Sequence, residues 1–230
     1  MSQNYKDTYN QSIKNKEDFW KKISDDIFWY SKPTKILNTD TPPFYKWFQD
    51  GVTNTCYNAL DFHIDNALGD KTALIWDSPI TNSKKTYTFN QLRESVALFA
   101  GALKNQGAVK GDRIIIYMPM IPEAVIAMLA CARIGAVHSV VFGGFASNEL
   151  ASRIDDSKAK IIISASCGYE PGRTVEYKPL LNKAVEIAKH KPERCIIFQR
   201  KNFKADLDSK LDVDWEEILK SAKPAECEKM

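Results

Sequence analysis

The sequence predicts an α/β fold with a mainly parallel sheet covered by helices on both faces. From Tyr87 onward, short runs rich in Ile and Val alternate with segments of helical length. These runs are continuously apolar instead of alternating with polar residues, which is typical of strands buried on both faces of a parallel sheet. The segments between them are long enough to form the crossover helices that parallel strands require.

The first two helices of this pattern have clear boundaries. Thr88 is followed three residues later by Gln91, which predicts a capping box, and apolar residues at helical spacing then continue until Gly107. Pro122 begins a second helix, which is apolar nearly all round and ends at Gly135.

Four buried strands are predicted in the same part of the chain, in the sequences DRIIIYM, VHSVVF, KIIIS and RCIIF. Ser147 is predicted to cap a third helix, and the segments PLLNKAVEIAKH and Trp215–Lys220 to form two more. The sequence lacks the strands that would complete a large sheet. We therefore expect an exposed sheet edge with apolar patches, and hence oligomers.

Residues 1–62 differ in composition from residues 63–230. They are rich in Asn, Lys, Asp and aromatic residues, and KEDFWKKISDDIFWY places Phe19, Ile23 and Ile27 at helical spacing. So many aromatic side chains on little regular structure favour an extension that wraps over a neighbouring domain. A small separate helical unit is the alternative.

Composition excludes several classes of protein. A net charge of +3 is too small to imply a nucleic-acid partner, and residues 189–204 fit a strand with solvated basic flanks better than an anion-binding patch. Five widely spaced cysteines without a C-x-x-C pair argue against zinc and against disulfides. The longest apolar run, residues 124–132, is too short to span a bilayer. We expect a cytoplasmic protein with reduced thiols and no membrane partner.

Two glycine-bearing loops are candidates for ligand binding. Gly143 and Gly144 follow a predicted strand, at the edge where open α/β sheets bind ligands, but their spacing matches no phosphate-binding motif. By themselves they favour a turn that needs a positive φ over a phosphate contact. The second loop, SCGYEPGRTVEYK, should emerge at the same edge, and its Gly172 and Arg173 could approach an anion. By its spacing alone, Arg173 fits a solvated surface arginine better.

No catalytic constellation stands out. The three histidines lie far apart, and His138 fits a hydrogen-bonded core residue better than a general base. Cys131, within the apolar second helix, is expected to be inert packing. The residues alone therefore predict a fold and a candidate anion-binding edge.

Several stretches resemble a known family, in order and over residues 19–198: FYKWF, NTCYNALDFHID, YTFNQLRESVALFAGALKNQGAVKGDRIIIYMPMIPEAVIAMLACARIGAVHSVVFGGF and ASRIDDSKAKIIISASCGYEPGRTVEYKPLL. They are similar to the N-terminal part of short-chain acyl-CoA synthetases, the acetyl-CoA and propionyl-CoA ligases. EPGR is closer to the propionyl-type branch, since acetyl-type members tend to carry R-G-G-[RK]. The resemblance implies the first part of an adenylate-forming domain, preceded by the family's N-terminal extension.

This resemblance also implies a reaction and a site. A carboxylate attacks ATP to give an acyl-adenylate and pyrophosphate, and the thiol of coenzyme A then displaces AMP, with Mg assisting in the complete enzyme. Phe142, Gly143 and Gly144 would lie along CoA, together with residues 170–173. There Arg173 would meet a phosphate beside Pro171 and Gly172, whereas Glu170, at a position that is arginine in the acetyl type, would repel one.

Family members continue into a Ser/Thr/Gly-rich phosphate loop, a ribose-binding Asp and a small C-terminal domain, none of which this sequence contains. We therefore expect no useful adenylation by this chain alone. Two interpretations remain. The chain is part of an enzyme that a C-terminal half or a second copy completes, or it is a non-catalytic module that binds CoA or another subunit.

Overall fold

The computed structural model describes residues 4–143 and 146–230. The chain divides into two compact units. One comprises the residues up to Asn54 together with Lys229 and Met230, and the other comprises Thr55–Glu228.

The first unit contains little regular structure. Its elements are two helices, α1 (Tyr5–Lys14) and α2 (Lys16–Ser24), and a two-stranded antiparallel pair, β1 (Leu37–Asn38) and β2 (Lys46–Trp47). The predicted helix is therefore present as α2, but it ends three residues before Ile27. Aromatic side chains contact one another instead of a large core: the rings of Trp20 and Trp47 lie 6.1 Å apart, centroid to centroid.

The second unit begins with two π-helical segments, Tyr57–Asp61 and Ile64–Leu68. The elements that follow are, in chain order, β3 (Thr72–Ser78), β4 (Ser83–Thr88), α3 (Phe89–Asn105), β5 (Arg113–Met118), α4 (Pro122–Arg133), β6 (Val137–Phe142), α5 (Ser147–Ser157), β7 (Ile161–Ala165), β8 (Cys167–Glu170), β9 (Arg173–Glu176), α6 (Tyr177–Ile187), β10 (Arg194–Phe198), β11 (Asp212–Asp214) and α7 (Trp215–Lys220).

A five-stranded parallel sheet organises this unit, in the order β11-β10-β7-β5-β6. Its strands separate two hydrophobic cores, because successive side chains point to opposite faces. Ile114 and Ile116 of β5 join the core formed with α3, α4 and α7, whereas Ile115 and Tyr117 join the core formed with α5 and α6. The α/β prediction, with helices on both faces, is confirmed.

Local signals place the helix boundaries. Thr88 and Gln91 form the predicted capping box at the start of α3. Gly107 and Gly135, with φ of 88° and 73°, take the left-handed backbone conformation after α3 and α4. Ser147 is not the cap of α5, contrary to the prediction. It is the first helical residue, and its hydroxyl donates to the carbonyl of Leu180.

Three strand features were not predicted. The hairpin β3–β4, the hairpin β8–β9 and the edge strand β11 are short, or have largely exposed positions, so they lack the long apolar runs of the central strands.

At the edge of the sheet opposite β11, the side chains of β6 are exposed: Val137 by 57%, Val140 by 55% and Phe142 by 71%. The expected exposed edge with apolar side chains is present.

Candidate ligand-binding edge

The carboxyl ends of β5, β6 and β7 lie at one edge of the sheet. Met118 pairs with Phe142, and Tyr117 pairs with Ser164, so the segments after Phe142 and after Ala165 leave the sheet on the same side. The two glycine-bearing loops therefore share an edge, as the alternation of strands and helices predicted.

Gly143 is held by two tyrosines. The hydroxyl of Tyr117 donates to its carbonyl at 3.4 Å, and a β-carbon at residue 143 would overlap the hydroxyl of Tyr177. Gly143 is not among the described glycines with a positive φ. The interpretation as a turn that needs a positive φ is therefore wrong for Gly143, and close packing against Tyr177 gives the reason for glycine. Gly144 lies outside the described residues.

The loop SCGYEPGRTVEYK is a hairpin. Glu170 and Arg173 pair across its tip, and Pro171 and Gly172 form the turn between them. Gly172 has a φ of 76°, as the third residue of a type II turn requires, and a β-carbon there would meet no atom within 4 Å. The backbone at this tip is open to a ligand.

The charge at this tip is already paired. Arg173 donates from Nε and Nη2 to one carboxylate oxygen of Glu170, at 2.7 and 2.6 Å, and the side chains are 71% and 43% exposed. A phosphate that approaches Arg173 must compete with this carboxylate. The open backbone at the tip can therefore accommodate a phosphate-bearing ligand, but the positive charge of Arg173 is already partly neutralised by Glu170.

A cavity of about 550 Å³ lies between the two loops. It is lined by Gly143, Gly168 and Tyr177, by apolar side chains of the end of β6 and of the segment after β5, and by the charged residues Asp77, Glu170 and Arg200. Arg173 is not part of the lining. The structure thus brings together Phe142, Gly143 and Glu170, with Arg173 just outside on the hairpin. It adds Tyr177 and Arg200, which no sequence motif marks.

The remaining candidates are structural. Burial raises the pKa of the Cys131 thiol to about 12, so this thiol is inert at neutral pH, as predicted. His138 is only half buried, on the edge strand β6, and desolvation lowers its pKa. His190 Nε2 lies 3.0 Å from the carbonyl of Ala159.

One buried cluster joins residues that are distant in sequence. Ligand atoms of Cys56, Asp61 and Cys227 lie within 4.8 Å of one another. Arg133, which is 2% exposed, donates to both carboxylate oxygens of Asp61 at 2.7 and 3.1 Å and lies 3.7 Å from Cys56 Sγ. Its guanidinium supplies the positive charge of this cluster, so the arrangement is that of a buried ion pair.

Within the described ranges, no helix has the length and apolar content that crossing a membrane requires.

Comparison with known proteins gives consistent matches. The family described as AMP-binding enzyme matches residues 63–229, and the family described as acetyl-coenzyme A synthetase N-terminus matches residues 5–59. The acetoacetyl-CoA synthetase from Streptomyces lividans has the same fold over 100% of this chain and 35% of its own, with a TM-score of 0.86 at 21% identity.

Curated relatives are similar in sequence as well. The chain is 50% identical over 224 residues to the rat protein named acyl-CoA synthetase short-chain family member 3, mitochondrial. The matched region covers 97% of this chain and 33% of the rat protein. It is 43% identical over 211 residues to propionate--CoA ligase from Escherichia coli (strain K12), covering 92% of this chain and 33% of that protein. The chain thus spans about a third of the length of these relatives. It belongs to the AMP-binding enzyme family and corresponds to the N-terminal portion of a short-chain acyl-CoA synthetase.

Proposed function

We propose that this chain is the N-terminal part of an AMP-forming short-chain acyl-CoA ligase and carries part of its CoA-binding edge. The complete enzyme would convert a carboxylate, ATP and CoA into acyl-CoA, AMP and pyrophosphate. The observation that carries the proposal is the match over 97% of the chain to an acyl-CoA synthetase at 50% identity. Residues 1–62 would be the extension and residues 63–230 the first part of the catalytic domain.

Propionate is the proposed carboxylate. EPGR at residues 170–173 resembles the propionyl-type branch, and a relative at 43% identity is named propionate--CoA ligase. ATP and Mg would bind mostly to residues outside this chain. A cytoplasmic location stays a prediction, and the name of the rat relative includes the word mitochondrial.

In this proposal CoA lies along the carboxyl edge of the sheet. Phe142, Gly143 and Gly144 would contact it on one side, and the hairpin tip at residues 170–173 would contact a phosphate on the other. The open backbone at Gly172 supports this placement. Arg173 would exchange its bond to Glu170 for one to phosphate, so the two acceptors compete for one guanidinium.

Calorimetric titration tests the site. The chain should bind CoA more tightly than dephospho-CoA, and Arg173→Glu should abolish that preference because it reverses the charge that meets the phosphate. Arg194→Glu is the matched control, because Arg194 is an exposed arginine at the amino end of β10. Equal affinity of the unaltered chain for CoA and dephospho-CoA would remove Arg173 from the site.

The second candidate is a non-catalytic module that binds CoA or another subunit. The exposed apolar side chains of β6 favour an interaction of this edge with other protein. Adding the C-terminal two thirds of a related synthetase in trans distinguishes the two. Formation of acyl-adenylate supports the enzyme fragment, and CoA binding without rescue supports the module.

A further inference from the structure

Arg200, just after β10, is a buried arginine without a counterion. The residue is 9% exposed, and its backbone N–H donates to Ser166 Oγ at 2.9 Å. Its guanidinium carbon lies 4.8 Å from the centre of the Tyr169 ring. In the part of the chain that the structure describes, the guanidinium has no carboxylate within ion-pair distance and donates no hydrogen bond.

The contrast with Arg133 shows what is missing. Arg133 is the other buried arginine, and its guanidinium is held by Asp61 and by the carbonyl of Ala225. The nitrogens of the Arg200 guanidinium are not among the buried atoms that lack a partner. Its five donors are therefore open to the adjoining cavity and available to a ligand. The environment of Arg200 lacks an anion that the environment of Arg133 contains.

Arg200, which also lines the cavity between the two glycine-bearing loops, faces a second, adjoining cavity of about 630 Å³. Its lining includes Lys84 and Lys85 at the start of β4 and Lys201 beside Arg200, while Glu123 is its one acidic side chain. Lys85 lies 3.8 Å from the Glu123 carboxylate and offsets its charge. Lys84 likewise lies 3.7 Å from the Asp77 carboxylate, so the positive charge around this cavity that no described carboxylate offsets belongs to Arg200 and Lys201.

Two further features favour an anion in this cavity. The first residues of α4 form part of the wall, and the N-cap residue Ile121 provides no side-chain acceptor for the helix N–H groups. The hydroxyl of Thr81, also in the lining, is buried and has no hydrogen-bond partner among the described residues. These groups supplement the unpaired guanidinium.

We propose that Arg200 is the centre of a second anion subsite, which binds a phosphoryl group of a small molecule. The planar guanidinium matches two phosphoryl oxygens, and a group with more than one negative charge suits the two unpaired basic side chains, Arg200 and Lys201, better than a carboxylate does. The subsite is distinct from the hairpin tip at Arg173. It goes beyond the proposed function, because it does not depend on CoA being the ligand.

Titration of the 230-residue chain with inorganic pyrophosphate at low ionic strength tests the subsite. Arg200→Met should weaken binding at least tenfold, and Arg200→Lys should weaken it less. Arg194→Met, at the opposite end of β10, should bind as the unaltered chain does. Ligand-free Arg200→Met should have nearly the Tm of the unaltered chain, because the substitution removes no ion pair or side-chain hydrogen bond and only the contact with the Tyr169 ring, whereas a structural role would lower the Tm clearly.

Several outcomes would overturn the subsite. These are no pyrophosphate binding by the unaltered chain, equal binding by Arg200→Met, or binding of propionate in preference to phosphate and pyrophosphate. Arg173→Glu separates this inference from the proposed function. Loss of CoA preference with pyrophosphate binding intact supports both sites, and pyrophosphate binding without any CoA binding leaves only the Arg200 subsite.

Discussion

The hydroxyl of Tyr177 occupies the space that a β-carbon at residue 143 would need. Tyr177 is the first residue of α6, and its ring stacks on that of Tyr117 with centroids 5.0 Å apart. It also lies against Gly168, where an added β-carbon would be 3.1 Å from the ring. One buried ring thus fixes how closely the segment after β6 and the start of β8 approach each other.

Gly143→Ala should destabilise the chain by about 2 kcal/mol, because the methyl group overlaps the Tyr177 hydroxyl in a packed region. Urea unfolding measures the change. Gly168→Ala is the matched control and should cost less, since its contact requires a shift of only a few tenths of an ångström. Equal costs for the two substitutions would contradict the packing role of Gly143.

Thr88→Ala should lower the free energy of unfolding by about 1 kcal/mol through loss of the α3 cap. Thr88 Oγ1 accepts from the N–H of Gln91 at 3.2 Å, and Gln91 Oε1 accepts from the N–H of Thr88 at 3.0 Å. Thr88→Ser keeps the acceptor and should lose much less. A matching loss in both variants, measured by urea unfolding, would show that the hydroxyl is not the stabilising group.

The sequence could predict this cap because every group in it lies within four residues. The same holds for the parallel strands, whose apolar runs are local patterns, and for the Gly135 helix end. The reason for glycine at residue 143 could not be predicted, because Tyr177 is brought to it only by folding. The ion pair of Glu170 with Arg173 was missed for another reason: a loop interpretation does not place residues opposite each other, whereas a hairpin does.

Asp61→Asn should be strongly destabilising, by roughly 3 kcal/mol, because it leaves the charge of Arg133 buried without its carboxylate. The double variant Asp61→Leu/Arg133→Met should lose less free energy of unfolding than the sum of the losses measured for Asp61→Leu and Arg133→Met separately. Glu186→Gln, at a surface ion pair with side chains 59% and 71% exposed, is the control and should leave the unfolding midpoint unchanged. Additive losses would argue against a coupled pair.

Cys131 should make stability depend on alkaline pH. Burial raises the pKa of its thiol from 9.0 to about 12, so above pH 9 the unfolded chain loses this proton while the folded chain retains it. The contribution of this thiol to the free energy of unfolding is fully present below pH 9 and is lost as the pH rises toward 12. Between pH 10 and 11 the slope is about 1.4 kcal/mol per pH unit.

The variant Cys131→Ala is the control for this pH dependence, because it lacks the thiol and shares every other titrating group with the unaltered chain. The unaltered chain should lose stability more steeply with pH than Cys131→Ala, although the substitution itself costs some packing energy at neutral pH. Urea unfolding at several pH values between 8 and 11 measures both slopes. Parallel curves would show that the thiol is not protonated selectively in the folded chain.

Glu170→Gln should tighten CoA binding severalfold if a CoA phosphate meets Arg173. The Glu170 carboxylate now accepts both bonds from Arg173, so its neutral replacement makes the guanidinium available and removes a negative charge beside the phosphate. Glu176→Gln, at the far end of the same hairpin, tests whether any loss of negative charge nearby has this effect. The gain should also shrink as salt is added, because the tip is exposed to solvent. Weaker CoA binding by Glu170→Gln would mean that the carboxylate, by orienting Arg173, helps to hold the ligand instead of competing with it.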